Sequence, residues 1–287
     1  MTKIIIVGLG PLGVKTVRFA VERKRLEIIG AVDINPTLAG KDLGVHCGLK
    51  TMGLAISPDI RTALKQPKAE CAVLTTVSSI AKLENQVAEA AKCSLDVVST
   101  CEELAFPWQT APDVARRIDA CCRKHGVTCL GTGVNPGYLM DFLPCVLTAV
   151  NQGVKKISVQ RVQDASVRRV PFQQKIGAAL SRAEFRRKQA EGTLRHVGLT
   201  ESMHLIAHAM NWKLTKVTES RQPVIAEVTL STGYKPIQQG MARGVEQIGR
   251  GYIGGREVIK LYFRAAVGEP RSYDRIAIEG QPDLVSE

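Results

Sequence analysis

Glu102 and Glu103 stand together directly after the apolar run Asp96-Val97-Val98-Ser99-Thr100-Cys101. A carboxylate in such a place can take a proton or stabilise a developing positive charge. Neighbours in extended chain point opposite ways, so one of the two would face a ligand while the other is solvated or caps a helix. A second chemistry is written into residues 4–13, IIIVGLGPLG, and into Asp33, which closes the next apolar run 20 residues beyond Gly13. Gly8 permits a tight turn, Gly10 lets backbone approach a pyrophosphate, and Gly13 lets a helix pack against a strand. The first helical turn, from Pro11 and Leu12, offers free N–H groups and a positive dipole end to phosphates. Asp33 then falls where a carboxylate meets the adenosine ribose, so the pattern implies a nicotinamide dinucleotide, NAD or NADP. Asp33 leans toward NAD because it repels a 2′-phosphate, although Lys41 and its neighbours leave NADP open.

Further candidates follow from position. In a doubly wound sheet ligands sit beyond the carboxyl ends of the strands. After the strand near 70–76, Thr75, Thr76 and Val77 lead into Ser78 and Ser79. Their backbone and hydroxyls can line the nicotinamide ribose, and either serine can cap the following helix. After the strand near 126–131, the run Gly131-Thr132-Gly133-Val134-Asn135-Pro136-Gly137-Tyr138 is too rich in Gly and Pro for a core element. Asn135 can donate and accept hydrogen bonds and Tyr138 offers an aromatic wall; a turn between domains is the alternative. His204 and His208 stand four apart with Glu201 one turn earlier, but the HLIAH run lacks the Glu of HExxH and a further ligand, so no metal is expected.

Composition narrows the class. A chain of 287 residues suggests two domains and can bury roughly 75% of its unfolded surface without a disulfide or metal. No charged-then-apolar leader precedes the first strand and no apolar run approaches a membrane span, so the reading is cytoplasmic, with no membrane partner. All eight cysteines fall between residues 47 and 145, and neither the adjacent Cys121-Cys122 nor the other spacings suit a zinc site, so reduced, mostly buried thiols are expected. Of the net charge of +12, residues 1–150 contribute 17 Lys+Arg against 14 Asp+Glu, and the remainder 22 against 13. Arg168-Arg169 and Arg186-Arg187-Lys188 lack interleaved aromatics, which favours a solvated basic face over a nucleic-acid partner.

These residues need a scaffold. The first 130 residues alternate apolar runs with helical patterns, which predicts βαβ units and a parallel sheet with strands near 3–7, 27–33, 70–76, 95–100 and 126–131. A helix near 79–92 carries Ile80, Leu83, Val87 and Ala91 on one face. Another begins at Thr110, whose hydroxyl can cap it, and turns Val114, Ile118 and Cys121 inward. Beyond Pro144 come a strand at 155–163, helices near 176–190 and 200–211, and extended segments KLTKVTES, PVIAEVTLST, EVIKLYFRAAV and DRIAIEG. The expected fold is α/β: a Rossmann-type doubly wound parallel sheet over 1–144, then an α+β domain over 145–287 with an antiparallel sheet and helices on one face.

At GLGPLG, STCEELAFPW, GTGVNPGYLMDFLP and HVGLTES the sequence resembles the 2,4-diaminopentanoate dehydrogenase family, which includes the native amine dehydrogenases. Their nucleotide domain is similar to that of dihydrodipicolinate reductase, whose own paired His and KxDxPSGT run are absent here. The resemblance implies an NAD(P)-dependent oxidoreductase that deaminates an amine oxidatively and, in reverse, aminates a ketone or aldehyde with ammonia. It implies that a glutamate after the fifth strand handles the amine, which maps to Glu102 or Glu103 with Glu102 favoured. Asn135, Pro136, Gly137 and Tyr138 would map to the wall of the substrate pocket, and a homodimer would form through the second domain's sheet. It also implies a Gly-rich stretch and a helix beyond the IEGQPDL-like segment, whereas this sequence ends at Glu287. Two other readings stay open: another imine or ketone reductase on the same scaffold, and a non-catalytic NAD(P)-binding regulator.

Overall fold

Alternation along the first strand sorts the amino-terminal half into layers. β1 (Thr2–Val7) turns Ile4 and Ile6 to one face of its sheet and Ile5 and Val7 to the other, and all four are buried. Ile4 and Ile6 pack with Val17 and Ala20 of α1 (Pro11–Val21), while Ile5 and Val7 share a cluster with Leu83 and Val87 of α4 (Ile80–Lys92). A strand buried on both faces needs apolar residues at every position, which is why residues 4–7 read as an unbroken run. The structure, a computed structural model, describes residues 1–64, 69–192, 194, 197–232 and 234–287. His196, within the HVGLTES run, lies outside the described residues.

The chain divides into two compact units, Met1–Val134 and Asn135–Glu287, against the boundary expected at 144. In the first, β2 (Leu26–Val32), α2 (Leu43–His46), β3 (Ile56–Ser57), α3 (Ile60–Ala63) and β4 (Cys71–Leu74) precede α4. Then come β5 (Asp96–Ser99), α5 (Pro112–His125) and β6 (Cys129–Gly131). The six strands pair in parallel in the order β3-β2-β1-β4-β5-β6, the doubly wound arrangement in which strand order reverses beside β1. The carboxyl ends of β1, β2, β4 and β5 thus point the same way and carry Gly8, Asp33, Thr75 and Glu102.

The second unit comprises α6 (Phe142–Leu147), β7 (Gln152–Asp164), α7 (Val170–Lys175), α8 (Arg182–Ala190), α9 (Leu199–Ala209) and five strands. Those strands are β8 (Lys216–Ile225), β9 (Ala242–Ile253), β10 (Arg256–Ala266), β11 (Tyr273–Gln281) and β12 (Leu284–Ser286). They and β7 form a six-stranded sheet ordered β12-β11-β7-β10-β9-β8. One face packs on α9 through Ile157, Val159, Leu261 and Ile276 against Leu199, Met203 and Ile206.

Four sequence expectations give way here. The sheet is mixed, because β10 lies beside β7 in parallel rather than antiparallel pairing. β9 went unread because Gly244, Gly249 and Gly251 weaken its strand pattern; a Cβ at Gly249 would press on Met203 and one at Gly251 on Leu214, so those glycines make room for the layer above. The helix expected near 176–190 forms only from Arg182: residues 176–181 are a turn after α7, with Gly177 and Ala179 at φ of 76° and 61°, and the Ser181–Glu184 capping box starts α8. α5 has Ala111 and not Thr110 at its N-cap, because Ala111 N–H turns back to the Pro107 carbonyl; the inward set is Ala115, Ile118 and Cys122.

Phe185 is fully buried at the centre of the second unit's other cluster, with Ile176, Leu194, Val245 and Phe263. Phe185→Ala is therefore expected to cost about 3–5 kcal/mol by the usual price of an emptied aromatic site. Urea unfolding reads this, and a loss under ~1 kcal/mol would show that the site collapses around the smaller side chain.

Candidate functional site

The ends of β2 and β4 and the short helix α2 converge on two residues of the glycine turn, Gly8 and Leu9. Leu9 donates its N–H to Asp33 Oδ2 at 2.7 Å, from the end of β2. Its carbonyl lies 3.1 Å from His46 Nε2, and its side chain is buried with Val17, Leu43 and Ile56. Next to it, the Gly8 carbonyl accepts from Thr75 Oγ1 at 2.7 Å, from the end of β4. The second carboxylate oxygen of Asp33 accepts from Asn35 N–H at 2.8 Å, which fixes the rotation of the side chain.

Each glycine of the turn has its own physical reason. Gly8 sits at φ of 90°, and a Cβ there would lie 2.7 Å from the Thr76 methyl. A Cβ on Gly13 would collide with the Gly8 carbonyl, so helix and strand could not approach as they do. Around Gly10 the opposite holds: a Cβ would meet nothing within 4 Å. Gly10 is the N-cap of α1 with no side chain satisfying that helix end, and the first turn holds no acidic residue. Open space over free amide donors at a positive helix end fits a pyrophosphate.

The structure distributes the other expected residues unevenly. Thr75 turns its hydroxyl back to the turn, and Thr76 donates to Gln86 Oε1 at 2.6 Å. Val77 packs against the α4-side core. Ser79 is the N-cap of α4 yet makes no side-chain cap; instead Glu103 Oε2 accepts from Ile80 N–H at 3.0 Å, and Glu103 N–H donates to the Ser78 carbonyl at 3.3 Å. Residues 102–104 form a single 3-10 turn, not extended chain, so successive side chains diverge by a third of a turn rather than alternating. One of the pair is thereby committed to a helix end. Among the described residues, no side-chain hydrogen bond or ion pair engages the half-buried Glu102 carboxylate.

In the second unit, the segment from Asn135 to Tyr138 is organised by a residue the sequence reading passed over. Asp141 is fully buried: Oδ2 accepts from Gly137 N–H at 2.8 Å and from Ser202 Oγ at 2.7 Å, and Oδ1 from Phe142 N–H at 2.6 Å. A buried carboxylate is tolerated because three donors replace water. Its signal was an acid inside the apolar run Leu139-Met140-Asp141-Phe142-Leu143. Asn135 Nδ2 lies 3.1 Å from Met140 Sδ, and Pro136 packs so closely on Gly198 that a Cβ there would strike its ring. Tyr138 is 49% exposed, its ring centroid 6.5 Å from that of Phe142.

The remaining chemical groups are quiet. Burial pushes the thiols of Cys101 and Cys129 up to about 12 and Cys145 to about 11, and all eight cysteines are free. Thiols so protonated are poor nucleophiles. Burial also lowers the pKa of His204, and among the described residues no three His, Cys, Asp or Glu side chains gather in a way that would hold a metal. Among them, too, no helix is long and apolar enough to cross a membrane.

Comparison with known proteins builds on this geometry. Residues 138–286 match the 2,4-diaminopentanoate dehydrogenase C-terminal domain, and residues 2–101 match the dihydrodipicolinate reductase N-terminus. The chain belongs to the 2,4-diaminopentanoate dehydrogenase family. It is 29% identical, over 98% of its length and 82% of the relative's, to the 2,4-diaminopentanoate dehydrogenase of Acetoanaerobium sticklandii. Among solved structures it is similar to the amine dehydrogenase from Mycobacterium smegmatis, with TM-score 0.84, 20% identity and coverage of 99% of this chain and 85% of that one. It is also similar, at TM-score 0.59, 14% identity and coverage of 100% and 72%, to GenD2 from gentamicin A biosynthesis in complex with NAD. The two structural likenesses concern the fold. Membership of the 2,4-diaminopentanoate dehydrogenase family makes the protein an NAD(P)-dependent oxidoreductase acting on amines, with its dinucleotide-binding domain in the first unit.

Gly13→Ala tests the turn. The added methyl must push α1 away from Gly8, so NADH affinity is expected to fall at least tenfold while far-UV circular dichroism stays near wild type. Unchanged affinity in a fluorescence titration would mean that the turn does not hold the dinucleotide.

Proposed function

We propose that the protein catalyses the oxidative deamination of an amine to a ketone or aldehyde and ammonia, and the reverse reductive amination, with Glu102 as the residue that handles nitrogen. The observation that carries the reading is the division of labour on the 102–104 turn: Glu103 is held at the start of α4, while the Glu102 carboxylate stands at the carboxyl edge of the sheet without a protein partner among the described residues. Bound there, a nicotinamide supplies the two-electron exchange of the reaction. The chain supplies the rest. In the deamination direction Glu102 takes a proton from the substrate ammonium, freeing the nitrogen lone pair that expels electrons from the adjacent C–H bond. Once that proton has passed to solvent, the regenerated carboxylate would stabilise the positive charge of the iminium left after hydride loss, until water adds to the carbon and ammonia leaves. In reverse, the carboxylate favours the iminium formed from carbonyl and ammonia.

Asn135, Pro136, Gly137 and Tyr138 are the proposed substrate-side residues, held in shape by Asp141. Asp33 favours NAD over NADP, since its carboxylate, already fixed by Leu9 and Asn35, accepts from a free 2′-hydroxyl and repels a phosphate. The proposed working form is a cytoplasmic homodimer joined through the second unit's sheet.

Two variants separate the glutamates. Glu102→Gln is expected to bind NADH normally and lose about 10²–10³ in turnover on whichever amine of a small panel reduces NAD⁺, the usual cost of removing a preorganised charge. Glu103→Gln is expected to keep turnover within a few-fold and to lose roughly 1 kcal/mol of stability through the weakened cap. Full turnover in Glu102→Gln would move the chemistry elsewhere. For the cofactor, initial rates with NAD⁺ and NADP⁺ at equal concentration are expected to favour NAD⁺ by at least tenfold; preference for NADP⁺ would remove the inference from Asp33.

A further inference from the structure

His46 is held where it can act on the phosphate-binding amide of the turn. It ends α2, a single helical turn whose start is locked by Asp42: that carboxylate accepts from Val45 N–H at 3.0 Å and from Gly53 N–H at 2.8 Å. Leu43, in the same turn, is fully buried. The next residue, Cys47, is buried, and its carbonyl accepts from Arg18 Nε of α1 at 2.7 Å. These anchors on either side deliver the half-buried imidazole to the Leu9 carbonyl, 3.1 Å away. A carbonyl only accepts, so Nε2 carries the proton in this arrangement.

The consequence lies one atom further on. The Leu9 carbonyl and the Gly10 N–H belong to the same peptide unit, which is planar and trans, so they point in opposite directions. A donor fixed on the Leu9 carbonyl therefore fixes the direction of the Gly10 N–H. Gly10 has open space around it and no backbone acceptor for its N–H among the described residues. The preceding peptide is pinned as well, by Asp33 on the Leu9 N–H and by Thr75 on the Gly8 carbonyl, so His46 holds the second of the two peptides that flank Leu9.

We propose that His46 is a positioning residue for the dinucleotide: by donating to the Leu9 carbonyl it aims the Gly10 N–H at the pyrophosphate and, by polarising the shared peptide, strengthens that N–H as a donor. The proposal rests on the turn binding NAD(P), and wild-type titration with NADH and NADPH tests that separately. Because the pyrophosphate is common to both, His46 acts on both alike.

Fluorescence titration of the full chain with NADH and with NADPH tests it. His46→Ala removes the donor, and His46→Asn, too short to reach the Leu9 carbonyl, does so with a polar side chain should the alanine variant fail to fold. Either is expected to weaken both dinucleotides about five- to tenfold, the loss of one hydrogen bond. His46→Gln places an amide N–H near the position of Nε2 and is expected to recover wild-type affinity within twofold, which a merely structural role would not produce. The proposal is overturned if the removal variants bind as wild type, if His46→Gln binds no better than they do, or if only NADPH is lost, the mark of a direct 2′-phosphate contact.

Discussion

The carboxylate of Asp33 carries the first unit's site. Through its bond to the Leu9 N–H it ties the end of β2 to the turn after β1, and these strands are neighbours in a parallel sheet. A charge-assisted bond to a backbone donor is stronger than a neutral one, and here it closes on a residue whose side chain is already sequestered in the core. The loop is thus a rigid extension of the sheet. Rigidity matters because a pyrophosphate is recognised by amide directions, and an amide that must be ordered on binding gives back part of its interaction as entropy.

A comparable solution recurs in the second unit with different materials. Asp141 gathers Gly137, Phe142 and Ser202 around one buried carboxylate, so a segment containing Pro and Gly takes a single shape against α9. In both units an acid organises loop backbone beside a helix. The difference is in exposure: Asp33 is part-exposed and keeps acceptor capacity for a ligand, whereas Asp141 is sealed and meets three protein donors.

The parallel sheet was legible because its strands are continuous apolar runs bounded by Gly and Thr, and because the Gly8-Gly10-Gly13 spacing and Asp33 answer to a stereochemical rule. Less legible was the second sheet. Its β9 carries glycines whose purpose is to admit Met203 and Leu214, a tertiary reason that no local pattern displays. His46 was invisible for a related cause: nothing in the spacing from Asp33 to His46 indicates that α2 folds back over the turn. The glutamate pair was legible as a candidate from its place after β5, but only the 3-10 turn and the bond to Ile80 distinguish the surroundings of the two carboxylates.

Glu103 joins two loops that leave different strands. With its N–H on Ser78 and its carboxylate on Ile80, it ties the crossover after β4 to the one after β5 at the carboxyl edge of the sheet. A backbone change at 78–80 is therefore transmitted through Glu103 to the 102–104 turn, so these two loops are bound to vary together.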